Sequence, residues 1–204
     1  MFKTFKYIFV PAVALLITMM LHNWIKDTFL PNIPEGNSKN KGEVLIGGAF
    51  ELVNQDGKVV TDKDFLGKYM VVYFGFANCP MVCPTDMADI TSALNSLDER
   101  TLEKIQPIFI TIDPLRDTVE NVKLFIENFH PKFQGLTGTP EKIASAINTY
   151  RVYSKKAESE DLQGYLMDHS AYTYLMGKDG KYIAHFRHDQ GAENISLGFR
   201  KYIR

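Results

Sequence analysis

Both cysteines of the 204-residue chain lie in one short segment, "NCPMVCP", residues 78–84. Cys79 and Cys83 are four positions apart, and two prolines restrict the backbone around them. If the segment is one helical turn, this spacing puts both sulfur atoms on the same side. Two neighbouring thiols can form a structural disulfide, exchange disulfides with a partner, or bind a metal ion. A structural disulfide is disfavoured, because a bridge across one turn closes too small a loop to stabilise the fold much.

The residues around the cysteines predict where the thiols lie. The run "YMVVYFGFA" (69–77) is continuously apolar and aromatic, which is typical of a central strand buried on both faces. Apolar residues then recur at helical spacing, at Met87, Ile90, Leu94 and Leu97. The cysteines should therefore begin the helix that follows this strand, at the carboxyl edge where open α/β sheets bind ligands. A helix N-terminus also stabilises a thiolate, the form that attacks disulfides and binds metals.

The remaining patterns predict the order of elements. They indicate a hairpin over 50–61 that turns at Asp56-Gly57, a buried strand over 107–112, a helix with an apolar stripe from Val119 to Phe129, a helix that opens at Thr139-Pro140, a hairpin of 171–176 with 181–186, and a closing helix. A β-α-β half followed by a hairpin and a helix is the order of a thioredoxin-like α/β fold, here with an added N-terminal β-hairpin. A flavodoxin-like sheet is the alternative.

Redox exchange and metal binding predict different residues in the loop opposite the thiols. Thioredoxin-like oxidoreductases have two residues between their cysteines, whereas three residues separate Cys79 from Cys83. Such enzymes also carry a proline just before the hairpin, and "LMDHSAYTYLM" (166–176) contains none. His169 stands in its place. An imidazole in the loop opposite two thiolates would supply a third metal ligand.

The three candidate ligands, Cys79, Cys83 and His169, indicate copper. Two thiolates and an imidazole are soft enough for Cu(I), and the same set can hold Cu(II). A structural zinc site would normally add a fourth protein ligand, and the sequence has no further cysteine. A thiol–disulfide oxidoreductase stays open, because it needs only the redox-active thiols. A thioredoxin-like peroxidase is a weaker third hypothesis, since the wider cysteine spacing does not suit a peroxidatic thiol.

Other residues near the predicted site allow two interpretations. In "DPLRD" (113–117), Asp113 either supports the ligands or a partner, or belongs to a turn in which Asp117 caps the helix that opens at 118. Met81 and Met167 are either weak sulfur donors or apolar cover for the thiolates, and cover is favoured. We assign no ligand role to the remaining histidines, which are His22, His130, His185 and His188. The stretch "KKAESED" (155–161) predicts a solvated loop.

The N-terminal part of the sequence predicts a membrane anchor. Residues 7–25 form an uncharged apolar run, close to the ~20 residues that a spanning helix needs. Lys3 and Lys6 precede the run, so the positive-inside rule keeps residues 1–6 in the cytoplasm and sends the rest across. No small-residue cleavage pattern follows, which favours an uncleaved anchor over a signal peptide. A polar linker, 26–42, then leads to a single domain, 43–204.

Composition and the character of the N-terminus narrow the setting. The net charge of −1 gives no reason to expect nucleic acid as a partner. The chain is long enough to bury a core without disulfide staples. The N-terminus is short and lacks an Arg- and Ser-rich presequence, so a bacterial inner membrane with the domain in the periplasm is favoured. The alternative is the mitochondrial inner membrane, with the domain facing the intermembrane space.

Three segments, "YFGFANCPMVCPTDM", "ITIDPLRDT" and "MDHSAYTYLMGKDGKYIAHF", resemble the Sco (SenC) family of membrane-anchored copper chaperones, and the likeness runs from about Gly42 through the domain. The resemblance implies that Cys79 and Cys83 are the family's C-x-x-x-C-P thiols and that His169 is its D-H-S histidine. It also implies copper binding and assembly of the CuA centre of cytochrome c oxidase subunit II, by copper delivery or by reduction of the CuA cysteines. Such a protein is a chaperone rather than an enzyme with turnover.

Overall fold

The computed structural model describes residues 45–159 and 164–204. The strands in these ranges are β1 Glu51–Asn54, β2 Val59–Thr61, β3 Tyr69–Gly75, β4 Ile105–Thr111, β5 Gln134–Thr137, β6 Ser154–Ser159, β7 Gly164–His169, β8 Tyr172–Met176 and β9 Tyr182–Arg187. The α-helices are α1 Val82–Asn95, α2 Glu99–Glu103, α3 Val119–Ile126, α4 Pro140–Thr149 and α5 Gly191–Tyr202. The predicted anchor (7–25) and linker (26–42) lie outside the described residues. Among the helices that are described, none has the length and apolar character of a membrane span.

Seven of the described strands form one mixed sheet, in the order β2-β1-β5-β4-β3-β8-β9. The central strands β3, β4 and β5 are parallel, whereas β1 runs antiparallel to β5 and β8 runs antiparallel to β3. The predicted mixed α/β fold and its N-terminal hairpin, β1 with β2, are confirmed. The antiparallel pairing of β8 with β3 excludes the flavodoxin-like alternative, whose core strands are parallel.

The two central strands form the middle of the hydrophobic core. Every residue of β4 is buried, and in β3 only Tyr69 keeps partial exposure. Phe74 packs against the buried Tyr150 and Tyr174, with ring centroids 5.2 and 6.2 Å away. Strands covered on both faces read as continuous apolar runs, which is why β3 and β4 could be recognised from the sequence.

The strand register brings three separate chain segments to one edge of the sheet. Gly75, the last residue of β3, pairs with Thr111, the last residue of β4. Because β8 runs antiparallel to β3, with Tyr73 opposite Thr173, its first residues lie beside the end of β3. The segments that follow β3, follow β4 and precede β8 therefore meet at the carboxyl edge of the parallel strands.

The predicted loop over 155–161 is wrong for residues 155–159. These residues belong to β6, which pairs antiparallel with β7 from Ser154 opposite His169 to Ser159 opposite Gly164. This two-stranded sheet is separate from the seven-stranded sheet. Lys155, Lys156 and Ala157 are exposed, and the sequence of β6 shows none of the apolar alternation that predicts a strand.

One helix begins at the cap residue that the sequence predicted, and another begins at a different residue. Thr139 caps α4 as predicted, with Pro140 in the first helical position. The interpretation in which Asp117 caps the next helix is wrong, because Thr118 is the N-cap of α3 and accepts a hydrogen bond from the Asn121 backbone N–H at 3.2 Å. Asp117 is instead fully buried and makes different contacts, described below.

We expect Phe199→Ala to lower the free energy of unfolding by about 3–5 kcal/mol, because it leaves a cavity in a packed core. Phe199 is fully buried, and its ring meets Phe186 edge-on at 5.6 Å. Urea denaturation measures the loss. Leu197→Ala on the same helix is the control, since Leu197 is 57% exposed and should change stability by less than about 0.5 kcal/mol. Equal losses in the two variants would contradict the packing described here.

Candidate functional site

The two cysteines lie where β3 passes into α1. Cys79 is in the connecting loop and half-buried, whereas Cys83 is the second residue of α1 and fully buried. Both are free thiols. The Cys83 backbone N–H donates to the Cys79 sulfur at 3.3 Å. The prediction that the cysteines begin the helix is therefore right for Cys83, and Cys79 stands just ahead of it.

Gly75 makes room for the buried thiol. A Cβ atom at this position would lie 3.0 Å from the Cys83 sulfur and 2.8 Å from a ring carbon of Tyr73. Either distance is shorter than ordinary van der Waals contact. The lack of a side chain at the end of β3 thus lets the first turn of α1 approach the sheet closely.

The two thiols differ in acidity because one donates to the other. The Cys83 thiol donates to the Cys79 sulfur, and backbone N–H groups of residues 81–83 point the same way; together they lower the pKa of Cys79 to about 5 against the opposing effect of burial. The same hydrogen bond, with burial added, raises the pKa of Cys83. At neutral pH Cys79 is therefore the thiolate and Cys83 keeps its proton.

His169 reaches the thiols from the last residue of β7. Its Nε2 atom is 3.5 Å from the Cys83 sulfur, although the two residues are 86 positions apart. Its Nδ1 atom is 3.2 Å from the Ser170 carbonyl oxygen, so Nδ1 carries the proton and Nε2 accepts. The proton of the Cys83 thiol is therefore shared between the Cys79 sulfur and Nε2. Burial lowers the pKa of His169 and keeps the imidazole neutral. The rings of Tyr73 and Phe76 flank it edge-on, with centroids at 6.4 and 6.1 Å.

Part of the donor set, Cys83 with His169, has a geometry that suits a soft metal ion. Sulfur and nitrogen atoms that bind one metal at about 2.3 and 2.0 Å, in tetrahedral directions, are about 3.5 Å apart, which is the observed separation between Cys83 and His169. Metal-binding histidines usually donate their other ring N–H to a carbonyl or carboxylate, as His169 does to Ser170. Within the described ranges, no three His, Cys, Asp or Glu side chains are grouped as a metal site as they stand.

A buried tyrosine and carboxyl lie beneath the thiols. The Tyr73 hydroxyl donates to Asp86 Oδ2 at 2.9 Å, and Asp86 Oδ1 is 3.4 Å from Nδ1 of the half-exposed His188. Burial raises the pKa of Asp86 to about 6. Neither group was predicted, and Tyr73 lies within an apolar strand that reads only as core. The available signal was spacing, because Asp86 follows Cys83 by three positions and such residues share a helix face.

The loop after β4 touches both halves of the site. Asp117 Oδ2 accepts the Ala77 N–H at 2.9 Å and the Thr111 hydroxyl at 2.6 Å. Asp113 pairs with Arg116 through one carboxylate oxygen and accepts the Tyr165 hydroxyl, at 2.7 Å, through the other. The turn expected at Asp113 is present, since its carbonyl oxygen accepts the Arg116 and Asp117 N–H groups at 3.2 and 2.9 Å, and support of the ligands by Asp113 stays a prediction. No sequence pattern indicated a role for Arg116 or Tyr165.

The other residues considered from the sequence take varied places. Met81 is 70% exposed, so it does not cover the thiolates, whereas Met167 packs against the core. His130 is buried and accepts the Lys132 N–H through Nδ1. His185 pairs with the Tyr182 hydroxyl at 2.5 Å. His22 lies outside the described residues.

Comparison with known proteins defines the family. The sequence model of the SCO1/SenC family matches residues 38–204. The chain is 38% identical over 180 residues to a mitochondrial SCO1 homolog of Arabidopsis thaliana, covering 88% of this chain and 54% of that relative's length. The chain therefore belongs to the SCO1/SenC family, and it spans little more than half of that plant protein.

Solved structures give the same fold. Arabidopsis thaliana ScoI with copper bound matches with a TM-score of 0.70 and 39% identity, covering 77% of this chain and 99% of that one. BsSco matches with a TM-score of 0.61 and 25% identity, covering 76% and 91%. It is described as a member of the Sco family of cytochrome c oxidase assembly proteins in which a disulfide switch was identified.

We expect the alkylation rate of the reduced protein by iodoacetamide to rise with pH around a midpoint near the pKa of Cys79, about 5. Only the thiolate reacts. Cys83→Ala removes the thiol donor, so the midpoint should move up toward the ordinary thiol value of about 8.5. Cys83→Ser keeps a hydroxyl donor and should hold the midpoint low. An unchanged midpoint in Cys83→Ala would mean that the Cys83 thiol does not stabilise the Cys79 thiolate.

Proposed function

We propose that this protein binds copper through Cys79, Cys83 and His169 and acts in the assembly of cytochrome c oxidase. The observation that carries the proposal is the placement of the His169 Nε2 lone pair 3.5 Å from the Cys83 sulfur, with Nδ1 held by the Ser170 carbonyl. The copper-bound ScoI structure and the assembly role described for BsSco support it. Copper is the cargo here, so binding has to be strong yet reversible.

The protonation states of the site suit capture of a soft cation. Cys79 already carries a thiolate, because its pKa of about 5 lies well below neutral pH. Cys83 gives up its proton only when a cation arrives, since metal binding releases protons from its ligands. The neutral imidazole needs no deprotonation. Capture by all three ligands thus releases about one proton, and the pH dependence of affinity is correspondingly shallow.

Reduction of the oxidase cysteines is the second candidate function, and the unequal thiols favour it. The Cys79 thiolate can attack a disulfide of the partner, and its sulfur joins one partner sulfur while the other leaves as a thiolate. The Cys83 thiolate, after losing its proton, then displaces the partner from Cys79. The partner disulfide gains two electrons and becomes one thiol, which takes the proton of Cys83, and one thiolate, which takes its proton from water. This chain is left with a Cys79–Cys83 disulfide. The disulfide switch described for BsSco supports this chemistry.

The partner and the location complete the proposal. We take the CuA site of cytochrome c oxidase subunit II as the destination of the copper or of the electrons. We take residues 7–25 as an uncleaved anchor in a bacterial inner membrane, with residues 43–204 in the periplasm. The alternative location is the mitochondrial inner membrane, with the domain facing the intermembrane space, and the mitochondrial SCO1 homolog of Arabidopsis supports a mitochondrial setting.

His169→Ala should weaken Cu(II) binding by the reduced protein at least about tenfold, the loss expected from removing one ligand or its support. Cu(I) binding should fall less, because two thiolates alone can hold Cu(I). The thiol–disulfide potential should hardly change, since disulfide exchange needs only the sulfur atoms. Competition titrations with chelators of each oxidation state give the two affinities, and equilibration with glutathione gives the potential.

Two controls separate the candidate functions. Oxidation of the unmodified protein to the Cys79–Cys83 disulfide consumes both thiolates, so copper affinity should disappear and return on reduction. In cells, His169→Ala should lower cytochrome oxidase activity, and added copper should restore part of it. If His169→Ala keeps full Cu(II) affinity and full oxidase activity while Cys79→Ser abolishes that activity, the copper proposal is wrong and the reductase proposal replaces it.

The proposed orientation predicts that alkaline phosphatase fused after Arg204 is active in a bacterial host. Lys3 and Lys6 precede the apolar run and Lys26 follows it, so the balance of positive charge keeps the N-terminus inside. Changing Lys3 and Lys6 together to Gln leaves Lys26 as the nearest lysine and should lower phosphatase activity. A cytoplasmic reporter that is active at the same position, with inactive phosphatase, would reverse the proposed topology.

A further inference from the structure

The hairpin of β6 and β7 carries His169 but is separate from the seven-stranded sheet. Only the end of the hairpin at His169, three residues ahead of Tyr172 in β8, is anchored directly by the main sheet, so the rest of the hairpin depends on other contacts for its position. Side chains two apart along a strand share a face, so Tyr165, Met167 and His169 lie on one face of β7. His169 contacts Cys83 at one end of this face, and Tyr165 stands about 13 Å away at the other end.

Tyr165 is held by two residues of the loop after β4. Its hydroxyl donates to Asp113 Oδ1 at 2.7 Å, and its carbonyl oxygen accepts from Arg116 Nη1 at 2.8 Å. The Arg116 guanidinium also lies 3.8 Å from the centroid of the Tyr165 ring, and Lys156 Nζ lies 3.7 Å from it. Asp113 is 3% exposed, so its charge depends on the pairing with Arg116.

The same loop is bonded to the segment that carries the cysteines. Asp117 Oδ2 accepts the Ala77 N–H at 2.9 Å, two residues ahead of Cys79. Arg116 lies 5.7 Å from the centroid of Phe76, whose ring in turn flanks His169. The loop 113–117 therefore touches the cysteine segment with one residue and the histidine hairpin with two others.

We infer that Tyr165 and Arg116 are positioning residues that hold the β6–β7 hairpin against the loop 113–117 and so keep His169 at the two thiols. We call the contacts of Tyr165 with Asp113 and Arg116 the latch. The inference rests on the proposed copper function and adds to it a means of regulating how many ligands hold the copper. With the latch closed, three ligands face the cargo. With the latch open, the imidazole withdraws with its hairpin and only the two thiols remain.

Breaking the contacts of the latch requires little free energy. The latch consists of a few polar contacts, and Arg116 remains 28% exposed, so water can replace its partners. Arg116 Nη2 is buried without a hydrogen-bond partner among the described residues, and such an atom costs free energy that opening would recover. Because Cu(II) needs the imidazole more than Cu(I) does, opening the latch releases Cu(II) while the thiols retain Cu(I).

The test compares Tyr165→Phe and Arg116→Lys with the unmodified full-length protein. Tyr165→Phe removes only the hydroxyl bond to Asp113, whereas Arg116→Lys keeps a positive charge beside Asp113 but loses the planar fork and its stacking. Hydrogen exchange on the reduced, metal-free protein should show faster amide exchange in 154–159 and 164–169 and unchanged exchange in β3 and β4. Tyr153→Phe is the matched control, because Tyr153 is 53% exposed just ahead of β6 and should leave exchange unaltered.

Copper titrations show whether the latch acts through His169. Each variant should lose about tenfold or more in Cu(II) affinity, as expected for a hydrogen bond to a charged group, and less than about threefold in Cu(I) affinity. Combined with His169→Ala, Tyr165→Phe should cause no further loss of Cu(II) affinity. Equal losses for both oxidation states, an additive loss in the double variant, or unchanged hairpin exchange would each overturn the inference.

Failure of the proposed function gives a different result. If the unmodified protein binds neither Cu(I) nor Cu(II), the copper proposal is wrong. Hydrogen exchange then still judges the latch, because it is measured without metal. Faster exchange confined to the hairpin in both variants would support the latch, and exchange equal to that of the unmodified protein would overturn it.

Discussion

The register of β3 between its two neighbours is the constraint on which the site depends. Gly75 pairs with Thr111 on the parallel side, and Tyr73 pairs with Thr173 on the antiparallel side. A shift of one residue in either pairing would turn the buried side chains of β3 to the wrong face. The same register decides that the cysteine segment, the loop 113–117 and His169 emerge together. Packing of the core and assembly of the site are therefore set by one pattern of backbone hydrogen bonds.

The chemistry of the site depends on the different surroundings of its two cysteines, Cys79 and Cys83. Cys79 collects hydrogen bonds from the Cys83 thiol and from nearby backbone N–H groups, so it bears the negative charge. Cys83 is buried over Gly75 and meets the lone pair of His169. The pair can thus act as an attacking and a resolving thiol, or as two ligands loaded in sequence. Both proposed functions draw on this asymmetry, and the histidine distinguishes them.

Sequence patterns predicted the parts of the fold that have strong periodicity. The central strands, the N-terminal hairpin and the Thr139-Pro140 helix start were predictable because burial and capping leave local signals. Strand β6 was missed because "SKKAES" shows no apolar alternation. It forms a strand because it pairs with β7. The role of Asp117 could not be predicted, because its bonds to Ala77 and Thr111 join residues that only the folded sheet brings together. Arg116 and Tyr165 were missed for the same reason, since their contact spans 49 positions.

The separation of the β6–β7 hairpin from the main sheet has a consequence for how damage to this protein would be detected. The buried apolar core includes residues of the central strands, α1 and α5, whereas Leu166 and Met167 of the hairpin are only partly buried. Sub-global opening of such a segment costs less free energy than global unfolding. A substitution in the hairpin can therefore dismantle the site and leave the melting temperature almost unchanged. Thermal stability is therefore a poor measure of function in this chain, because a variant with a normal melting temperature in calorimetry can lack a working site.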